Sequence, residues 1–240
     1  MFKKKGFIMA FILIISMIGM TACKKNVGAP EDNAQAEENE DETNTEETQE
    51  HLIGFSVIDM ENPYFITLES AAKAELEEDG YRMITKNPET DPQLQETQIQ
   101  EMIDEGIEAI ILSPVDWEKI TPSLQALKKA GVKIINVDTQ VKEMEYVDAY
   151  IGSDNQKAGY ICGEDLITKC PDGGKIAILE CPTQNSINDR ITGFEEAIAQ
   201  AENGFEVVER MDTKGEFELA LEAAQKILEE HPDILSLIHI

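Results

Sequence analysis

Leu52-Ile53-Gly54-Phe55-Ser56-Val57-Ile58, followed at once by Asp59-Met60-Glu61-Asn62-Pro63-Tyr64-Phe65, is the stretch that decides the fold. The first seven residues form an apolar run with no polar alternation, which fits a strand covered on both faces. Pro63 then opens an amphipathic stretch reaching Asp79, and proline suits a helix start because the N–H it lacks would have no partner there. The pair recurs as Arg82 to Thr85 then Pro92 to Glu105, and Ala109 to Leu112 then Trp117 to Ala130, before Lys133 to Val137 closes the series. Gly80 and Gly131 follow their helices as stops, and Pro122 lies near a third helix start.

The pattern restarts after Tyr146 to Ile151, with helix Asn155 to Lys169, strand Lys175 to Leu179, helix Ile187 to Ala201, strand Phe205 to Arg210, helix Glu216 to Glu230 and a last run Ile234 to Ile240. Strands alternating with helices imply an α/β protein with parallel sheets. The hydrophilic changeover at Gly152-Ser153-Asp154-Asn155 divides it into two lobes. Ligands of such sheets sit at the carboxyl ends of the strands. The loops to inspect are therefore Asp59 to Tyr64, Ser113 to Asp116, Asp138 to Gln140, Glu180 to Asn188 and Asp212 to Gly215.

Working outward, Lys3, Lys4 and Lys5 precede an apolar run from Phe7 to Gly19, the order of a secretion signal. The run is shorter than the ~20 residues of a spanning helix. It ends in Met20-Thr21-Ala22-Cys23, which resembles a bacterial lipobox and implies that Cys23 is lipidated and becomes the mature N-terminus. Met20 stands where leucine is commoner in such signals. Residues Lys24 to Glu50 are Glu, Asp, Asn, Thr and Gln with scarcely an apolar side chain, too few to offset chain entropy, and are expected to form a disordered tether. The expected organisation is signal peptide 1–22, lipidated acidic tether 23–50, N-terminal lobe 51–152 and an incomplete C-terminal lobe 153–240.

A net charge of -28 repels phosphate backbones, which argues against nucleic acid as a partner. Beyond the tether about 190 residues remain, enough for one large domain or two small ones. Cys162, Cys170 and Cys181 lack the paired spacing of a zinc or redox motif and read as packing residues, although a secreted location permits a Cys170–Cys181 disulfide. His51, His231 and His239 have no companions at metal-ligand spacing, so neither metal nor cofactor is expected. No G-x-G-x-x-G follows a strand, and neither G-x-x-x-x-G-K-[ST] nor G-x-S-x-G occurs, so no enzyme signature is found.

The candidate loops carry the chemistry of carbohydrate recognition, in which rings pack on C–H faces and planar groups meet hydroxyls. Asn62, Tyr64 and Phe65 offer an amide and two rings, Asp138 a carboxylate for vicinal hydroxyls, and Arg190 the opposing donors. Plainer roles stand beside these: Tyr64 and Phe65 as core of a first helix turn, Asp138 as a loop cap, Arg190 as a surface ion-pair partner. Trp117 reads as helix packing.

From Leu52 to Asp233 these motifs resemble the ribose- and galactose-type periplasmic binding proteins of carbohydrate importers. The matching residues are Asn62-Pro63-Tyr64-Phe65, Ser113-Pro114-Val115-Asp116, Val137-Asp138, Gly152-Ser153-Asp154-Asn155, and Arg190 with Gly193-Phe194. The resemblance implies the type I fold, two Rossmann-like lobes that close on a sugar-like ligand and dock on ABC permease subunits; with the lipobox, a monomer held to the membrane by its N-terminal lipid is expected. It adds Ser113 to the ligand-binding residues, although the ribose-binding pattern has asparagine there. Thr139 stands where that pattern has arginine, and Gly215 falls near where it has an aromatic ring, so ribose itself is not implied. A sensing role, presenting the bound sugar or furanose to a receptor kinase, is the alternative; a sugar-responsive repressor lacks a lipobox, and a lipoprotein hydrolase would turn the sugar over. The pattern also continues past His231-Pro232-Asp233 to an Asn-Asp pair, two more ligand loops and segments recrossing the hinge, so the chain is expected to be C-terminally truncated. Leu235-Ser236-Leu237-Ile238-His239-Ile240 is the translation of CTGTCTCTTATACACATC, a transposase end sequence used in library preparation, and is expected not to be native.

Overall fold

The computed structural model describes residues 51–239. The signal peptide, Cys23 and the tether lie outside the described residues. The first lobe runs β1 (His51–Ser56), α1 (Pro63–Glu78), β2 (Tyr81–Lys86), α2 (Pro92–Asp104), β3 (Ala109–Leu112), α3 (Thr121–Ala130), β4 (Lys133–Val137) and β5 (Ala149–Ile151). Its strands form one sheet in the order β2-β1-β3-β4-β5, every pair parallel. The second lobe runs α4 (Asn155–Lys169), β6 (Gly174–Glu180), α5 (Asn185–Ile198), β7 (Phe205–Asp212), α6 (Phe217–Glu230) and β8 (Ser236–His239), with the parallel order β7-β6-β8. In both sheets the first strand lies between its successors, so each lobe has a switch point whose crevice opens at the strand exits. No described helix is long and apolar enough to cross a membrane.

The unbroken apolar character of β1 has its cause in burial on both faces. Leu52 packs with Ile110, Leu112 and Ile134 against Ile99, Met102, Leu124 and Leu127 on one side of the sheet. Phe55 and Val57 meet Phe65 and Met83 on the other. Two buried amides then fix the strand exits. Gln95 donates to Ser56 Oγ and to the Ser113 carbonyl, both at 3.1 Å, and accepts from the Val115 N–H at 2.9 Å. Asn136 donates to the Leu112 and Thr139 carbonyls at 3.0 and 2.8 Å and accepts from the Val141 N–H at 3.2 Å.

Several element ends shift by a few residues from the sequence expectation, and two elements differ in a way the local sequence explains. Helix α3 starts at Thr121 and not at Trp117, because Pro122 would clash with the carbonyl four residues back if the helix extended upstream. Asp116 instead accepts from the Glu118 and Lys119 N–H groups and closes a separate turn. The strand expected from Tyr146 is reduced to Ala149–Ile151, preceded by a short 3₁₀ turn at Met144–Tyr146. The segment expected to be foreign contributes β8, whose Leu237 packs beside Ala177 and Leu179.

Helices α4 and α5 pack backbone against backbone. A Cβ on Gly159 would fall 1.8 Å from the Arg190 carbonyl oxygen, and one on Gly193 would fall 1.9 Å from that of Gln156. Gly163 faces Ala197 in the same seam, with 2.5 Å between a hypothetical Cβ and that side chain. Glycine is needed at these crossings for clearance, and the clearance sets where α5 carries Arg190.

Candidate ligand-binding cleft

The exits of both sheets line a cleft of about 840 Å³, within the size range of small-molecule sites. The first lobe contributes Asp59, Asn62, Tyr64, Phe65, Thr90 and Asp138. From the second come Glu180, Cys181, Gln184, Ser186, Arg190 and the Thr213 to Glu218 turn. Of the residues singled out in the sequence, Asn62, Tyr64, Phe65, Asp138 and Arg190 converge here. Ser113 does not: it is fully buried under the β3 exit, and its hydroxyl has no hydrogen-bond partner among the described residues.

Asn62 is the N-cap of α1, its side-chain oxygen accepting from the Tyr64 N–H at 3.0 Å. The cap explains why the chain turns sharply here, and it leaves the Asn62 NH₂ as the free polar group. Tyr64 is half exposed, whereas Phe65 is 3% exposed and belongs mainly to the core beside Phe55. Their rings meet edge to face, with centroids 5.1 Å apart.

Asp138 adopts a left-handed backbone, φ 63°, a conformation aspartate tolerates better than most residues. Strand β5 clamps it there. The Asp138 N–H donates to the Ile151 carbonyl at 3.0 Å, and the Tyr150 hydroxyl donates to the Asp138 carbonyl at 2.8 Å. Gly152 makes room for that hydroxyl, since a Cβ there would lie 2.0 Å from it. Burial pushes the Asp138 carboxyl above the usual carboxylate range, and the Thr139 hydrogen bond and the nearby Arg190 charge pull it only partly back. Burial and the Asp138 charge likewise raise the Tyr64 hydroxyl. The Arg190 guanidinium makes no hydrogen bond or close ion pair among the described residues, its interaction with Asp138 being through charge alone. The cleft therefore presents a fixed acceptor from one lobe and an uncommitted donor from the other.

Neutral groups join the lobes beside Asp138. Thr139 Oγ1 lies 3.1 Å from Gln184 Oε1 and 2.8 Å from Ser186 Oγ, Gln184 Nε2 donates to the Val115 carbonyl at 2.9 Å, and the Trp117 N–H donates to the Thr183 carbonyl at 3.1 Å. Thr139 was read in the sequence only as a lost cation. Thr90 was missed, because the β2 exit was left out of the loops inspected; its N–H donates to the Ile58 carbonyl at 3.1 Å and draws that exit to the cleft. Near Gly215, where an aromatic ring was found wanting, Phe217 lines the cleft two residues on and is 74% exposed.

The three cysteines among the described residues are free, with Cys181 buried at the cleft wall, so Cys170 and Cys181 are not paired. His231, isolated in sequence, falls near Glu209 and Glu230, their ligand atoms lying within 4.8 Å of one another.

Two parallel sheets that turn their strand exits to a shared polar cleft define a two-lobed α/β ligand-binding protein. The periplasmic binding protein domain matches residues 53–239, and the chain belongs to that family. It is 25% identical over 224 residues to the ribose import binding protein of Bacillus subtilis, covering 93% of this chain and 69% of that protein. The D-ribose/D-allose-binding protein of Pseudomonas aeruginosa is 28% identical over 187 residues, or 74% of this chain and 58% of that protein. A solved ABC transporter solute binding protein from Mycobacterium smegmatis with bound glycerol has a TM-score of 0.72 at 30% identity, covering 78% of this chain and 65% of its own. The kinship with ribose- and galactose-type binding proteins and the parallel-sheet α/β class are thus as the sequence implied, and the chain spans 58% to 69% of the length of these proteins.

Proposed function

We propose that this protein is an extracytoplasmic solute-binding lipoprotein, held to the membrane through Cys23, that captures a sugar or sugar-like polyol between its lobes and delivers it to an ABC importer. The observation that carries the reading is the cleft itself, with Asp138 and Arg190 facing it from opposite lobes beside the Tyr64 ring. A polyol hydroxyl both donates and accepts. It donates to Asp138 and accepts from Arg190, while its C–H face lies on Tyr64, with Phe217 as a second ring from the other lobe. Closure of the lobes expels water and strengthens each of these bonds, so hydroxyl configuration is discriminated. Micromolar affinity needs about 8 kcal/mol, within reach of several charge-assisted bonds and ring packing after ordering costs. The similarity to ribose-binding relatives supports a carbohydrate ligand.

The test is thermal shift of the protein against pentoses, hexoses, polyols and furanoses, followed by calorimetry on any that stabilise it. Asp138→Ala and Arg190→Ala are each expected to weaken binding by about tenfold or more, the loss of one charged hydrogen bond. Absence of a shift with every compound would remove the sugar assignment, and unaltered affinity in a variant would remove that residue from the site.

A further inference from the structure

Thr139 is fully buried, and its single hydroxyl stands among three partners that cannot all be served. Asp138 Oδ2 lies at 3.3 Å, Gln184 Oε1 at 3.1 Å and Ser186 Oγ at 2.8 Å. A hydroxyl has one hydrogen to give and can accept as well. Ser186 can donate to Thr139, which leaves that one hydrogen for either Asp138 or Gln184. Neither competitor can become a donor. The Asp138 carboxylate is an acceptor when ionised, and the Gln184 amide is oriented by its Nε2 donating to the Val115 carbonyl at 2.9 Å, which turns Oε1 toward Thr139. Both acceptors line the cleft, and Gln184 in addition ties the second lobe to the first through the Val115 carbonyl.

We propose that Thr139 is a positioning residue that passes its hydrogen from Asp138 to Gln184 when a ligand satisfies the Asp138 carboxylate, so that occupancy of the cleft tightens the bond between the lobes. In the empty cleft the carboxylate is the stronger acceptor and takes the hydrogen. A ligand hydroxyl donating to Asp138 supplies what Thr139 supplied, and the hydrogen turns to Gln184. The ligand thereby favours the closed arrangement through a differential contact, as any ligand-driven closure requires. An arginine in place of Thr139 could not do this, since it has no acceptor for Ser186 and its charge would stay with Asp138. The ligand part of this inference rests on the reading of Asp138 as a ligand acceptor.

The test needs no ligand, because Asp138→Ala also frees the Thr139 hydrogen. Thr139→Val and Gln184→Met, singly and together, form a cycle whose coupling is read from urea unfolding, in the parent chain and again with Asp138→Ala. The Thr139–Gln184 coupling is expected to be roughly fivefold larger, as an equilibrium constant, in the Asp138→Ala background, the worth of the one neutral hydrogen bond that forms only there. Thr139→Ser retains the hydroxyl and is expected to restore the parent behaviour. Equal couplings in the two backgrounds would make Thr139 an ordinary fixed bond and overturn the proposal. If Thr139→Val does not fold, the Gln184 side-chain amide resonance decides, in the chain carrying Asp138→Ala alone: a displaced signal supports the hand-over, and one coinciding with the parent overturns it. Failure of every sugar to bind would defeat the proposed function while leaving this cycle readable. Equal couplings would defeat the hand-over while leaving the function standing.

Discussion

Gly159→Ala adds a single methyl group to a helix, where alanine is intrinsically favoured over glycine by about 1 kcal/mol, yet the seam between α4 and α5 reverses the sign. The new Cβ would meet the Arg190 carbonyl oxygen at 1.8 Å, so one helix must retreat by roughly 2 Å to reach ordinary contact. Both sides of the clash are backbone, which no side-chain rotation relieves, and this places the cost near the upper end of overpacking, about 3 kcal/mol. The net loss is then about 2 kcal/mol, or a fall of roughly 4–8 °C in Tm for a chain of this size. Because α5 carries Arg190 into the cleft, the same retreat stretches any bond from its guanidinium to a ligand. Losing one charge-assisted bond lowers affinity about 10- to 100-fold. Differential scanning calorimetry and isothermal titration with a stabilising sugar read the two effects. Gly193→Ala, at 1.9 Å from the Gln156 carbonyl, is expected to match it, and Gly163→Ala, whose contacts with the Ala197 side chain at 2.5 Å and the Phe194 carbonyl at 2.8 Å are longer, to be milder. Gly204→Ala, with nothing within 4 Å, is the control and is expected to be nearly neutral. An unchanged Tm for Gly159→Ala, or a ranking that places Gly204 among the damaging positions, would refute the close-packed seam.

Asp138→Asn is expected to separate stability from binding: burial holds the folded carboxyl above its unfolded value, so the ionised group costs stability once pH rises through the raised value, and the amide relieves this. The variant gains Tm at neutral pH while binding loses its acid limb, which in the parent falls as pH drops through that raised value; a parallel acid loss in the variant would assign the limb elsewhere. Tyr150→Phe removes the donor to the Asp138 carbonyl and is expected to cost about 1 kcal/mol of stability. Gly152→Ala would displace the same ring, with 2.0 Å to its hydroxyl and 2.4 Å to the ring carbon that carries it, so the double variant is expected to lose about 1 kcal/mol less than the sum of the single ones, and full additivity in urea unfolding would count against the clamp. For Asp148, hydrogen-bonded to Lys128, Lys133 and the Ile134 N–H, the carboxyl is depressed, chiefly by the Lys128 bond. Its contribution is present above the ordinary carboxylate value and lost as pH falls toward the depressed one, so Asp148→Asn is expected to flatten the acid limb of a Tm–pH curve, and an unaltered limb would exclude it.

The strand-and-helix alternation was legible because apolar runs, prolines at helix starts and glycines at helix ends all pointed the same way. It failed where local signals competed. Trp117 to Ile120 carries helical spacing, but Pro122 and the Asp116 side chain commit the chain to a turn first. Strand β7 runs on to Asp212, beyond the Arg210 at which the apolar run ends, because backbone pairing with β6 continues to Glu180. In the cleft, Asp138 was visible through its position after a buried strand, and Arg190 through the resemblance carried by Arg190 with Gly193-Phe194. The joining contacts of Thr139, Gln184 and Ser186 were not, since their partners lie 45 and 47 residues apart in the chain. Small residues at positions 159 and 163 are spaced one helical turn apart in the sequence, but which helix they admit is fixed only by the fold.

The left-handed backbone at position 138 also limits what substitution can leave behind there. A β-branched or bulky side chain in that conformation adds about 1–3 kcal/mol of strain, on top of whatever chemistry is lost, whereas glycine and asparagine enter the same region with little penalty. Descendants of this protein that abandon the carboxylate are therefore expected to arrive at asparagine or glycine, so change at this position is channelled toward a neutral amide or an empty space.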